Sequence, residues 1–134
     1  MKPTKPVLQA LILADHVYTD RGTGKNVIAG TFNQLWANQF PSKLGRSAWA
    51  FFCLTDLKGK VVLSLKYINL SNNEVLMQLD GIEATCKSPL QSVEYAVELP
   101  PIPMPDVGAY AFELYAGTEM LGALRVNVAR LGDK

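Results

Sequence analysis

The chain has 134 residues, of which 49% are hydrophobic and 19% are charged, and its thirteen basic and twelve acidic residues give a formal net charge of +1. This length suits one domain with its own core, and so small a net charge offers no basic surface for nucleic acid or an anionic membrane. No stretch approaches the roughly 18 consecutive apolar residues of a membrane-spanning helix. We therefore expect a soluble single-domain protein with no nucleic-acid partner and no membrane partner.

The chain begins with a short polar segment, residues 1–6, which we expect to be an N-terminal tail. The apolar run Val7 to Ala14 that follows resembles the central part of a signal peptide. It is short, contains Gln9, and has no small-x-small cleavage site after it. We therefore interpret it as a buried first strand and expect a cytoplasmic location.

Eight segments in chain order are interpreted as strands, and in most of them the apolar residues recur with the period of two that is typical of strands. These segments are 7–19, 26–36, 48–57, 60–70, 74–85, 90–99, 109–116 and 124–128. Turn sequences separate several of them, and Asp80-Gly81 indicates a bulge or bend inside the fifth. The segment from Ala37 to Arg46 is expected to be an irregular loop, and the proline-rich stretch from Pro100 to Pro105 a stiff connection between sheets.

Short strands separated by turns predict an all-β fold, an antiparallel β-sandwich of about eight strands that is immunoglobulin-like or C2-like. We expect it to span residues 7–131, with 132–134 as a C-terminal tail. The later strands indicate which side chains face the core, with Glu94 and Glu98 pointing outward. The expected core residues are Tyr95, Val97, Tyr110, Phe112, Leu114, Val126 and Val128.

Two segments are apolar on both faces, residues 7–14 and 48–54. A sandwich strand normally exposes one face to water, so a loop, a second subunit or a partner is expected to cover their outer face. The sequence favours a homo-oligomer, a symmetric dimer, because two-fold dimers are the commonest closed assembly. Phe52 or Leu54 to Asp or Lys should then weaken association without unfolding, provided that these side chains point outward.

The two cysteines, Cys53 and Cys86, both lie inside strand-like segments. An isolated pair 33 positions apart matches neither a secreted disulfide framework nor a zinc-binding pattern. We interpret them as reduced core thiols, although the sequence leaves a disulfide between them open.

The sequence predicts no catalytic residue. His16 is the only histidine and follows Asp15, but adjacent residues on a strand point to opposite faces and cannot form a base-and-orienter pair. We expect a structural or solvent-facing histidine that can be replaced by alanine without loss of function.

Metal and phosphate sites are not expected either, and we predict no cofactor. The Gly22-Thr23-Gly24-Lys25 sequence lacks the spacing of a phosphate-binding loop and is followed by a strand, which favours a hairpin turn. The aspartates Asp20, Asp56 and Asp106 lie in separate loops, too few in each to hold calcium.

Four aromatic residues bracket the irregular 37–47 loop, and we predict a binding surface there. These residues are Trp36, Phe40, Trp49 and Phe52. Packing between the sheets explains Trp49 equally well.

Two parts of the sequence resemble a family of short bacterial proteins described as a domain of unknown function. The first part comprises Ala14 to Val17, Gly24 to Asn33 and Phe40-Pro41, and the second runs from Pro103 to Leu114 and continues at Leu121-Gly122. The second part is also common in immunoglobulin-like sandwiches. The resemblance implies a β-sandwich of cytoplasmic, bacterial origin and carries over no catalytic or binding residue.

Three functions follow in order of preference. The first is a non-catalytic protein-interaction or self-association module, with a dimer or an unknown protein as the partner. The alternative is a small-ligand-binding sandwich with a pocket near the 37–47 loop. An enzyme is least favoured, because the sequence contains no activated nucleophile and no paired carboxylates.

Overall fold

A computed structural model describes residues 5–133, and its regular structure is almost entirely strand. A single 3-10 turn, Leu131–Asp133, follows the last strand. The strands are β1 (Val7–Thr19), β2 (Asn26–Thr31), β3 (Gln34–Ala37), β4 (Ser42–Lys43), β5 (Ala48–Thr55), β6 (Gly59–Asn69), β7 (Glu74–Cys86), β8 (Val93–Leu99), β9 (Pro103–Met104), β10 (Gly108–Ala116) and β11 (Glu119–Arg130). No helix within residues 5–133 is long and apolar enough to cross a membrane.

Two main sheets form a sandwich. The first has the order β2-β1-β5-β8 and the second the order β3-β11-β10-β6-β7, while β4 and β9 form a separate two-residue ladder. All pairs are antiparallel except β3 with β11. The predicted all-β sandwich is therefore confirmed.

The core lies between the two sheets, and its largest fully buried side chains come from β1, β5, β6, β10, β11 and the proline-rich connection. They are Tyr67, Tyr110, Phe52, Phe112, Leu13, Leu54, Leu63, Leu65, Ile102, Leu114 and Val126. Tyr95 and Val97 are only half-buried, because β8 has a strand partner on one side alone within residues 5–133. The prediction for the later strands is otherwise confirmed, and Glu94 and Glu98 are exposed.

The arrangement is immunoglobulin-like. β1, β5 and β8 correspond to strands A, B and E of that fold, and β6, β10 and β11 to strands C, F and G. The entry to β10 carries a tyrosine corner. The Tyr110 hydroxyl donates a hydrogen bond to the carbonyl of Asp106 at 2.7 Å and accepts one from the Asp106 N–H at 3.3 Å. This closure of the loop onto β10 is a hallmark of the immunoglobulin-like alternative.

Two stacked core tyrosines, Tyr67 and Tyr110, are expected to respond in opposite ways to the same change. Their rings lie 5.5 Å apart, but the Tyr67 hydroxyl is buried and has no hydrogen-bond partner among the described residues. Tyr110→Phe leaves the Asp106 groups unpaired and should lower the free energy of unfolding by about 1–3 kcal/mol. Tyr67→Phe removes an unsatisfied hydroxyl and should be neutral or stabilising, as measured by urea denaturation. A loss of stability in Tyr67→Phe as large as in Tyr110→Phe would contradict this account.

The predicted strand 26–36 is wrong as a single element, because the chain leaves the first sheet in its middle. Gly30 has a φ of 73°, and a Cβ there would lie 2.5 Å from a carboxylate oxygen of Asp15. Only glycine therefore suits this bend. After Thr31 the chain crosses to the second sheet, where residues 34–37 pair in parallel with β11.

The hairpin formed by the end of β1 and by β2 folds over the outer face of the first sheet. β2 and β8 stand at opposite ends of the strand order, roughly 14 Å apart at the usual strand spacing. Yet the Asn26 side-chain amide donates a hydrogen bond to Glu94 at 2.7 Å. This contact requires residues 15–30 to fold back across β5 as a third layer, which we call the folded-over hairpin.

A second apolar cluster fills the space beneath the folded-over hairpin. Its buried members are Ala14, Val17 and Phe51, and the partly buried side chains around them are Ala10, Ile12, Ile28, Trp49 and Cys53. Phe51 points away from the main core because its neighbours on β5 belong to that core. The two-sided apolar strands predicted a cover for this face, and the chain's own hairpin supplies it.

The remaining sequence predictions concern the cysteines and the chain ends. Both cysteines are free, Cys86 in the main core and Cys53 in the cluster beneath the hairpin. Of the predicted N-terminal tail, Lys5 lies 3.4 Å from Glu119 and Pro6 is buried. Residues 1–4 of that tail, and residue 134 of the predicted C-terminal one, lie outside the described residues.

Candidate interaction surface

The four aromatic residues predicted to form a binding surface do not lie together. Phe52 has no exposed surface and stacks on Tyr95 at 5.7 Å inside the main core. Its place in a surface is therefore wrong, because the alternation of β5 turns Phe52 inward and Trp49 outward.

Trp36 lies on β3 at the edge of the second sheet and Phe40 in the loop after β3, whereas Trp49 lies on β5 of the first sheet. Trp36 is 39% exposed on β3. Phe40 is half-buried, and the Arg130 guanidinium lies 5.1 Å from its ring centroid. Arg130 also donates a hydrogen bond to the Asn38 carbonyl at 3.1 Å, which fixes the loop after β3.

Trp49 instead meets two aromatic side chains of the folded-over hairpin. The His16 ring lies 5.6 Å from Trp49 in an edge-on arrangement and 5.7 Å from Tyr18. His16 is exposed, Tyr18 is 49% exposed and Trp49 is half-buried. We call these three residues the aromatic patch. Sequence reasoning missed Tyr18, although the spacing of two from His16 places both on one face of β1.

Charged groups flank the aromatic patch on two sides. Asp15 pairs with Arg46, whose guanidinium also lies 5.0 Å from the Phe32 ring centroid. On the other side, Glu98 of β8 stands directly opposite Trp49 in the strand register and is exposed. Glu98 forms no ion pair within residues 5–133, so the surface beside Trp49 carries an unneutralised negative charge.

The surroundings of His16 offer no catalytic partner. The His16 ring makes only ring contacts within the described part of the chain, while Asp15 bonds to Arg46. Asp15 and His16 therefore form no hydrogen bond with each other within residues 5–133. Residues 5–133 also contain no group of three or more His, Cys, Asp or Glu side chains placed to hold a metal ion.

The glycine-containing segment after β1 is a hairpin turn, as predicted. The Gly24 N–H donates to the Asp20 carbonyl at 2.8 Å, and the Thr23 hydroxyl donates to the Asp20 carboxylate at 2.8 Å. The hydrogen bond from the Thr23 hydroxyl is the largest cause that lowers the pKa of the Asp20 carboxyl, and a hydrogen bond from the Gly22 N–H is the second. The carboxylate of Asp20 thus closes the turn.

Two open depressions flank the loop before β5. One, of about 410 Å³, is lined by Lys43, Leu44, Gly45, Arg46, Ser47, Leu99 and Pro101. The other, of about 380 Å³, is lined by Trp36, Ala37, Asn38, Gln39, Ser42, Lys43, Leu44, Gly45 and Met104. They lie where the sequence placed the pocket of the small-ligand alternative, although Arg46 is already paired with Asp15.

Comparisons with known proteins identify the family of this chain. A search of curated proteins finds no match. Among solved structures, the chain is similar to an immunoglobulin-like protein from Pseudomonas aeruginosa, with 14% sequence identity, 93% of this chain and 97% of that chain covered, and a TM-score of 0.49. The sequence model of one family matches residues 9–129, which include the whole of both main sheets apart from the ends of β1 and β11. The chain therefore belongs to the family of unknown function DUF6941.

Proposed function

We propose that this protein is a non-catalytic protein-binding module and that the aromatic patch is the centre of its binding surface. The observation that supports the proposal is the exposure of the patch. The folded-over hairpin buries Phe51 of the outer face against its own Val17, yet the aromatic side chains of His16 and Tyr18 face solvent beside Trp49.

The composition of the patch suits protein recognition. Tyrosine and tryptophan provide a large contact area with few rotatable bonds, and they are enriched among the residues that dominate binding energy. The Asp15–Arg46 ion pair beside the patch provides a polar rim of the kind that surrounds such anchors.

A peptide selection tests the proposal. A random peptide library is displayed and selected on the immobilised full-length protein, and the enriched peptides are then measured against variants. Trp49→Ala and Tyr18→Ala should each weaken their binding by about tenfold or more, since buried aromatic anchors contribute about 2 kcal/mol or more. Binding is measured by isothermal titration calorimetry.

Trp36→Ala is the matched control, because it removes an exposed tryptophan from the opposite sheet. It should change affinity less than twofold. The proposal fails if the selection enriches no peptide, or if the enriched peptides bind Trp49→Ala and Tyr18→Ala as tightly as the wild type.

Three further proposals stand beside this one. One is self-association of the chain, which sedimentation at micromolar concentration tests. Another is a cytoplasmic location, which the two free thiols support. The depressions around Leu44 favour the small-ligand alternative as a second candidate. Peptides or small molecules whose binding is lost in Lys43→Ala, and not in Trp49→Ala, would support that second function.

A further inference from the structure

The free edge of β8 stands where an immunoglobulin-like sheet has one more strand. In the constant-type fold a strand D pairs with strand E, which corresponds to β8 here. In this chain the segment after strand C is β7, which pairs with β6 in the opposite sheet. The side of β8 away from β5 therefore has no strand partner within residues 5–133.

This edge differs from that of β7. The register of β7 against β6 shifts twice, and each shift leaves an additional residue in β7. Gly81 lies in one of these shifts, between Leu79 and Ile82, with a φ of 72°. Bulges of this kind protect an edge from pairing with another strand. β8 pairs with β5 over Val93–Leu99 without any shift, so its backbone keeps the regular spacing that a further strand needs.

The side chains of β8 indicate what such a strand must carry. Glu94, Ala96 and Glu98 are exposed on the outer face, while Val93, Tyr95 and Val97 are half-buried against the core. Asn26 donates a hydrogen bond to Glu94, and no Lys or Arg in the described part of the chain forms an ion pair with this carboxylate. Strands that pair in a sheet are stabilised by opposite charges and by apolar contact between cross-strand neighbours.

We propose that an extended, basic segment of a partner protein pairs with the free edge of β8 and completes the sheet. Its outward side chains opposite Glu94 and Glu98 are lysine or arginine, and its inward side chains opposite Tyr95 and Val97 are apolar. This inference rests on the proposed protein-binding function, because Glu98 is the cross-strand neighbour of Trp49 and so joins the edge to the aromatic patch.

A second copy of this chain does not suit the same edge. Two β8 strands that pair antiparallel about Ala96 bring Glu94 of one copy opposite Glu98 of the other. Like charges that stand directly opposite each other destabilise a pair of strands. The charge of the edge therefore selects a basic partner over self-pairing.

The test uses the full chain, labelled with ¹⁵N, and a synthetic peptide, acetyl-Thr-Lys-Val-Thr-Val-Lys-Thr-amide. We expect amide shifts that are concentrated in residues 93–99 and an affinity at least about tenfold higher than for the same peptide with glutamate in place of lysine. The combined variant Glu94→Lys and Glu98→Lys should invert this preference. A peptide N-methylated at alternate residues should not bind, because backbone pairing supplies most of the affinity of an added strand.

The matched control reverses two exposed charges on the bulged edge instead, Glu74→Lys and Asp80→Lys, and should leave the preference for lysine unchanged. The inference is overturned if the lysine peptide does not bind, if N-methylation has no effect, or if the shifts lie outside β8. Selected library peptides that require Trp49 but ignore Glu94 and Glu98 would overturn this inference while leaving the proposed function intact. Selected library peptides that bind Trp49→Ala as tightly as the wild type would contradict the proposed function as well.

Discussion

Phe52→Asp is expected to yield a chain that does not fold, whereas Phe52→Ala should fold with a free energy of unfolding lower by about 3–5 kcal/mol. Phe52 is fully buried and stacks on Tyr95, so its removal leaves a cavity between the sheets. An aspartate at this position adds an unpaired carboxylate to the same cavity. Since a domain is usually stable by only about 5–15 kcal/mol, the two penalties together exceed what the fold can sustain.

Urea denaturation followed by circular dichroism measures this effect. Trp49→Ala on the opposite face of β5 is the control, and its loss should be smaller because Trp49 is only half-buried. If the Phe52→Asp protein folds and only dissociates from a dimer, this prediction is wrong and Phe52 lies in a subunit interface. The condition attached to the dimer test, that Phe52 or Leu54 points outward, is not met, since both side chains are fully buried.

The sandwich and the inward face of its later strands could be predicted because local patterns determine them. The alternation of β10 and β11 fixes which side chains face the core, and the tyrosine corner lies within five consecutive residues, 106–110. The break after Gly30 could not be predicted in the same way. The alternation continues through residues 26–36, and the strand ends because Gly30 adopts a φ of 73° and the chain after Thr31 pairs in parallel with β11.

The sequence correctly predicted an apolar outer face on the first sheet, but it did not predict that the folded-over hairpin covers this face. The hydrogen bond between Asn26 and Glu94 spans 68 positions, and no local pattern reveals in which direction a hairpin folds. Part of the candidate site could be predicted from the sequence. The alternation of β5 separates Trp49 from Phe52, and the spacing of two joins His16 to Tyr18. The meeting of His16 with Trp49 depends on the register of β1 with β5, which the sequence does not specify.

Val17→Asp is expected to detach the folded-over hairpin and to raise the alkylation rate of Cys53 about tenfold or more. Val17 is 5% exposed and packs in the cluster that contains Phe51, Ile28 and Cys53, so a carboxylate there is desolvated without a partner. Burial, and then the charge of Glu94, raises the pKa of the Cys53 thiol. Detachment removes the burial and lowers that pKa, which increases the reactive thiolate fraction at a given pH.

Iodoacetamide labelling at pH 8, with the two cysteines resolved by peptide mass spectrometry, measures the rates. Tyr18→Asp is the matched control, because Tyr18 lies on the solvent-facing side of the same hairpin and its change should alter the Cys53 rate less than twofold. Cys86 should stay unreactive in both variants, since it lies in the main core. If Cys86 also reacts in Val17→Asp, the hairpin is integral to the core instead of a separate layer. If the Cys53 rate does not rise, the hairpin does not cover the outer face, and the uncovered apolar surface again requires a second subunit or a partner.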